Sequence, residues 1–161
     1  MCRAVFRATN VIRMLEDAKK RVMDQPYGEK VPKDAYTFLL RYWVLKVSLG
    51  YGRRPQIAEN LRVREWVCRE TVETEERTYI KVFIERHETS ATHGADFLHL
   101  EEENDDIFQF YFENCRLKLW PLDEDLDWRE SEEPLFISYL GKPLVNKGLK
   151  MIKRFGGGDR F

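Results

Sequence analysis

The sequence predicts an α+β fold, mostly helical, with a small antiparallel β-sheet. Three observations carry this. Residues 3–23 and the stretch AYTFLLRYWVLKVSL hold apolar groups at helical spacing. TYIKVFI, residues 78–84, has the β-branched and aromatic content of a strand, and DFLHL, residues 96–100, alternates back towards it. Helical patterns then resume after residue 101. Helices, then a sheet, then helices is the order of an α+β domain rather than of alternating βαβ units. The 161 residues read as one domain, 1–161. That length suffices for a real core, since a domain of about 150 residues buries roughly 70% of its unfolded surface.

Each element has a local reason. In the first helix Val5, Ala8, Val11, Ile12, Leu15 and Ala18 fall near one face. Gln25-Pro26-Tyr27-Gly28 breaks it. Pro32-Lys33-Asp34 starts a second helix, with Asp34 as cap or first-turn acid. That helix is apolar nearly all round, which predicts central burial, and Gly50-Tyr51-Gly52 ends it. Pro55 suits the first turn of a short helix, IAENL. Val63–Cys68 reads as a strand and Glu70–Arg77 as an acidic turn. The hairpin spans about 78–100, with a polar tip. The acids of 101–106 suit the positive end of a following helix, whose apolar stripe is Ile107, Phe108, Tyr111, Phe112 and Cys115. Residues 123–133 form an acidic loop, 134–138 a short apolar segment, Gly141-Lys142-Pro143 a turn, and Leu144–Phe155 a basic amphipathic helix.

Composition narrows the function. With 43% hydrophobic and 34% charged residues the chain is globular, not disordered. No apolar run approaches the ~18 residues of a membrane helix. The N-terminus has no apolar signal core, so an intracellular protein without a membrane partner is expected. Cys2, Cys68 and Cys115 form no CxxC pair and the three histidines are not spaced as zinc ligands. Free, mostly buried thiols, no metal and no small-molecule cofactor are expected. Net charge is −1 but uneven: +7 over residues 1–70, −13 over 71–140 and +5 over 141–161. Basic ends around an acidic middle are compatible with a nucleic-acid face, although a solvated surface is the simpler reading of charge alone.

Two stretches carry chemistry. In GYGRRPQIAENL an arginine follows a tight turn and precedes a helix, where its planar fork is well placed for a phosphate. In RHETSATHGA a polar tip between strands carries His87-Glu88-Thr89.

The segment YWVLKVSLGYGRRPQIAENLRVREW resembles the first active-site segment of the tyrosine recombinase (phage integrase) family. Aligned on Gly52, Leu61 and Glu65, the family's first catalytic arginine falls on Arg54, while Ile57 stands where the family usually has Glu. YIKVFIERHETSATHGADFLHL resembles the family's β-hairpin, and locally the transposon-derived, Crypton-like eukaryotic members, which read HKTSATxGPA. Here Glu88 occupies the lysine position and the proline before Ala95 is missing. EPLFISYLGKPLVNKGLKMIKRF resembles the segment that leads to the family's His-x-x-Arg box. The likeness spans roughly residues 1–155, the first half to two-thirds of a family catalytic domain. The box and the late nucleophilic tyrosine are not among the 161 residues, and Tyr139 precedes the place of the box.

The resemblance implies a partial recombinase catalytic fold, C-terminally truncated, and chemistry on DNA without metal. In the family a tyrosine attacks a phosphodiester, arginines stabilise the phosphorane, and the hairpin lysine protonates the leaving oxygen. A carboxylate at that position is anionic at neutral pH and opposes the chemistry. The expectation is a DNA-binding domain related to DNA integration and recombination and inactive as this chain, nuclear in a eukaryote. Arg54 is the phosphate-binding remnant, Glu88 the altered catalytic position, and Arg53, Arg62, Arg64, His87, Thr89, Lys147, Lys150 and Lys153 the DNA contacts. Self-association through an incomplete core is a further expectation. Two alternatives stay open: a fragment of an active recombinase, and a protein-interaction module using the acidic middle.

Overall fold

A computed structural model describes residues 2–47, 55–85 and 96–144. The first helix, α1, spans Cys2–Met23 and the second, α2, spans Lys33–Leu45. Two short helices follow, α3 at Pro55–Asn60 and α4 at Val63–Val67. The sheet has three strands, β1 Glu70–Glu73, β2 Thr78–Ile84 and β3 Asp96–Glu101, antiparallel in the order β1-β2-β3. Helix α5, Glu102–Tyr111, starts directly from β3, passes through a π-helical turn at Phe112–Arg116, and ends in α6, Leu117–Leu119. The acidic loop holds one 3₁₀ turn, Trp128–Glu130. The chain is mixed α+β, with a small three-stranded antiparallel sheet.

The sheet is amphipathic by pleat. Ile80, Val82 and Ile84 of β2, with Leu98 and Leu100 of β3, are buried on one face. The register sets Ile80 opposite Leu100 and Val82 opposite Leu98, so the buried pairs stack into one apolar face. On the other face Phe83 meets Phe97 at 5.3 Å, and the Lys81 ammonium lies 3.8 Å above the Phe97 ring.

Helix α2 is the central element foreseen from its composition: Tyr36, Leu39, Trp43 and Val44 are wholly buried. Trp43 packs against Phe108 of α5 at 3.7 Å between ring centres; Phe108 in turn stacks on Trp66 of α4 at 5.0 Å and meets Phe136 at 5.6 Å. Tyr36 completes the cluster. Its hydroxyl donates to the Ile137 carbonyl at 2.8 Å and lies 3.2 Å from the Tyr111 hydroxyl. Burial pushes the Tyr36 phenol up to about 12. At Gly141, φ is +75° and an added Cβ would stand 2.9 Å from the Trp120 indole, so the turn from Ser138 to Lys142 requires glycine there.

The structure corrects three local readings. Val63–Val67 is helix α4, not a strand. The Glu65 carboxylate accepts the Arg62 N–H and closes a capping contact that outweighs the β propensity of the valines. Glu70–Glu73, read as turn, is strand β1, because Thr71 and Val72 pair with Ile80 and Tyr79. Only Thr74–Arg77 makes the turn, closed by Thr74 N–H to the Arg77 carbonyl at 2.9 Å. Cys68 and Cys115 are free, but Cys68 is exposed, since α4 ends there and turns its side chain out. Burial pushes the Cys115 thiol up to about 12. Asp34 lies in the first turn of α2, where it pairs with Arg21, while Pro32 holds the cap position. Gly50–Gly52 and the helix expected at Leu144–Phe155 beyond its first residue lie outside the described residues.

Candidate functional site

The site expected from the sequence springs from three places in the fold. Arg53 and Arg54 immediately precede α3; His87, Glu88 and Thr89 join β2 to β3; Lys147, Lys150 and Lys153 follow Leu144. These eight residues lie outside the described residues. Arg62 and Arg64 lie within them, at the corner where α3 passes into α4.

That corner is tightly specified. One oxygen of Glu65 accepts the Arg62 N–H at 2.7 Å, and the other accepts the Glu85 N–H at 2.8 Å. A single buried carboxylate therefore ties the start of α4 to the last residue before the hairpin tip. Burial raises its pKa above the ordinary carboxylate range, against the lowering effect of the two backbone donors. The last rung of the sheet sets Ile84 opposite Asp96, so segment 86–95 bridges the end of this rung. Helix α3, which follows Arg54 in sequence, leads over six residues, about 9 Å of helix, into this corner.

The acidic loop returns to the same corner. Backbone bonds run from Val63 N–H to the Glu133 carbonyl at 2.9 Å, from Arg64 N–H to the Ser131 carbonyl at 3.2 Å, and from Leu135 N–H to the Leu61 carbonyl at 2.8 Å. Arg62 bridges to Pro134 in antiparallel fashion. On this frame the arginines meet acids. Arg64 donates through one terminal nitrogen to Glu85, and its Nε lies 3.0 Å from a Glu132 oxygen. Arg62 donates to the Glu132 carbonyl, and its Nε lies 3.8 Å from the other Glu132 oxygen.

Sequence reasoning singled out both arginines but not Glu85 or Glu132. Their partners stand 21 and 70 residues away, and no local pattern announces a pairing of that range. It likewise missed Arg116, which is 1% exposed and held by Glu133 at 2.7 Å and by the Trp120 carbonyl. Arg69 is bound to Asp105 at 2.7 Å and stacked 4.0 Å over Trp66.

Among the described residues no group of three or more His, Cys, Asp and Glu side chains is arranged to hold a metal, and no helix is long and apolar enough to cross a membrane. An open groove of about 740 Å³ lies between α1 and α2, lined by Val11, Met14, Asp34, Phe38, Arg41, Tyr42 and Leu45 among others. Its walls carry no nucleophile paired with a base.

Compared with models of known protein families, with curated proteins and with solved structures, the chain matches none.

Proposed function

We propose that this chain is a recombinase-like DNA-binding domain, related to DNA integration and recombination, that contacts the phosphate backbone and does not itself cleave DNA. The observation that carries the reading is the Glu65 tie. It joins the start of α4, which follows Arg54 by way of α3, to the strand end that precedes His87, Glu88 and Thr89, so the described residues that flank two family-like stretches meet at one carboxylate. Arg54 then supplies a bidentate phosphate donor. Arg53, Arg62 and Arg64, with Lys147, Lys150 and Lys153 of the basic C-terminal stretch, supply further positive charge. Glu88 argues against catalysis. A carboxylate where the family places a lysine cannot act as a cationic proton donor, and at neutral pH it repels the phosphate it would serve. The apolar groove between α1 and α2 is consistent with self-association.

The test is binding of a short labelled duplex at several salt concentrations. Log affinity should fall linearly with log salt, with a slope near 0.9 for each phosphate neutralised. Arg54→Ala should weaken binding alike on unrelated sequences and reduce the slope by about one. An affinity indifferent to salt, or an Arg54→Ala protein that binds as the wild type does, overturns the reading.

A further inference from the structure

The corner at Arg62 and Arg64 contains a mismatch of donors and acceptors. Both Nε–H groups are buried and neither has a hydrogen-bond partner. Each stands within ion-pair distance of Glu132, at 3.8 and 3.0 Å, yet the carboxylate is not aligned to accept from either. Buried donors without acceptors are costly, and native structures contain few of them. A single carboxylate spanning two guanidinium groups also has the charge and reach of one phosphate group bridging the same pair.

The rest of the corner keeps the arginines in place without that carboxylate. Arg62 is held by the Glu132 backbone carbonyl, and Arg64 by Glu85. The loop is held by backbone bonds of its neighbours, from Val63 to Glu133 and from Arg64 to Ser131. The Glu132 side chain is 53% exposed, so it can rotate into water while the frame stands.

We infer that Arg62 and Arg64 form an oxyanion site for a phosphate group, which the Glu132 carboxylate occupies from within the chain and which a phosphate enters by displacing it. The inference deepens the DNA-binding reading and rests on it for the source of the phosphate, a backbone phosphodiester. Glu132 then acts as a built-in competitor that lowers affinity for nucleic acid and makes binding depend on how many phosphates arrive together.

The experiment uses the full chain as wild type, Glu132→Gln, Glu124→Gln and the double variant Arg62→Gln with Arg64→Gln. Inorganic phosphate is titrated while the arginine Nε–H signals are followed by NMR, and a short duplex is titrated in parallel. Glu132→Gln keeps the side chain's shape and removes its charge; Glu124→Gln removes the same charge from the same loop at a residue that pairs with no described cation. Phosphate should shift the Arg62 and Arg64 signals in Glu132→Gln at lower concentration than in the wild type. Duplex affinity should rise about fivefold, the upper end of what an exposed ion pair is worth. The salt slope should steepen by about one for each additional phosphate neutralised. The double variant should lose this increase. Phosphate that leaves both signals unmoved in Glu132→Gln overturns the site whatever the duplex does. An equal increase from Glu124→Gln overturns it too, because bulk charge then explains the effect. If phosphate shifts the two signals but no variant binds duplex, the anion site stands and the DNA reading fails.

Discussion

Helix α4 is shared by two regions built on different principles. Trp66 faces the aromatic cluster with Trp43, Phe108 and Phe136, all of them buried. Arg64, two residues earlier, faces the charged corner with Glu85 and Glu132, where side chains remain about a quarter to a half exposed. In the cluster the stabilisation comes from area removed from water and from close ring contacts, and each ring depends on the others' shape. In the corner it comes from backbone bonds and one buried carboxylate, while the surface ion pairs add little. One side of a short helix thus holds the fold, while the other carries ion pairs at the surface.

The largest expected effect lies in the cluster. Phe108→Ala removes a ring that touches Trp43, Trp66 and Phe136, and should cost about 3–5 kcal/mol in urea unfolding. A loss below about 1 kcal/mol would mean that the cluster is not the seat of stability.

An intermediate effect probes the one place among the described residues where a guanidinium enters the core. Glu133→Ala leaves the buried Arg116 guanidinium with the Trp120 carbonyl as its remaining acceptor. It should cost about 2–3 kcal/mol, less than for a fully buried pair because the Glu133 side chain is 50% exposed and water reaches it. Arg116→Met, which removes the charge and keeps most of the volume, should cost less than Glu133→Ala. The reverse order in the same unfolding assay would show that Arg116 acts through packing rather than through its charge.

The smallest of the three effects sits at the corner. Glu65→Gln offers one acceptor oxygen to two backbone donors, Arg62 and Glu85, so one buried N–H is left facing an amide NH₂, at about 1–2 kcal/mol. The pH dependence has a definite sign. Burial raises the folded-state pKa of Glu65 above its unfolded value, so the folded state holds the extra proton between the two values. Its contribution is full below the unfolded pKa and is lost as pH rises through the folded one. The stability gap between wild type and Glu65→Gln should therefore be wider at about pH 4 than at about pH 7. A gap that widens towards neutral pH would show that the two backbone donors outweigh burial. The same variant should weaken duplex binding if the tie positions the hairpin tip, and leave it unchanged if it does not.

The residues show why some of the fold was legible and some was not. The stripes of α1, α2 and α5 and the alternation of β2 and β3 are local periodicities, and all five elements form where the pattern puts them. Val63–Val67 misled because its valines favour a strand while the deciding contact, Glu65 to the Arg62 N–H, is a side-chain cap. Glu70–Glu73 misled because its acids suit a turn, whereas pairing with β2 makes it a strand. At the candidate site, Arg62 and Arg64 are legible from their place near Arg54, but the acids that hold them are distant in sequence, Glu85 just after β2 and Glu132 in the loop beyond α6.

By itself the sequence determined the α+β class, the order of the main elements and the buried faces of α2, α5 and the β2–β3 pair. Those follow from spacing along a chain of fixed periodicity, which each segment carries alone. On α1 the buried face is Leu15, Ala18 and Val22, while Val11 and Ile12 of the expected stripe are 39% and 61% exposed, Val11 at the open groove beside α2. Only the tertiary structure decided that α4 is a helix, that one carboxylate joins α4 to the end of β2, and that Glu132 stands across both arginines. These depend on groups 20 to 70 residues apart meeting at hydrogen-bond distance, and no local pattern encodes which distant partner arrives.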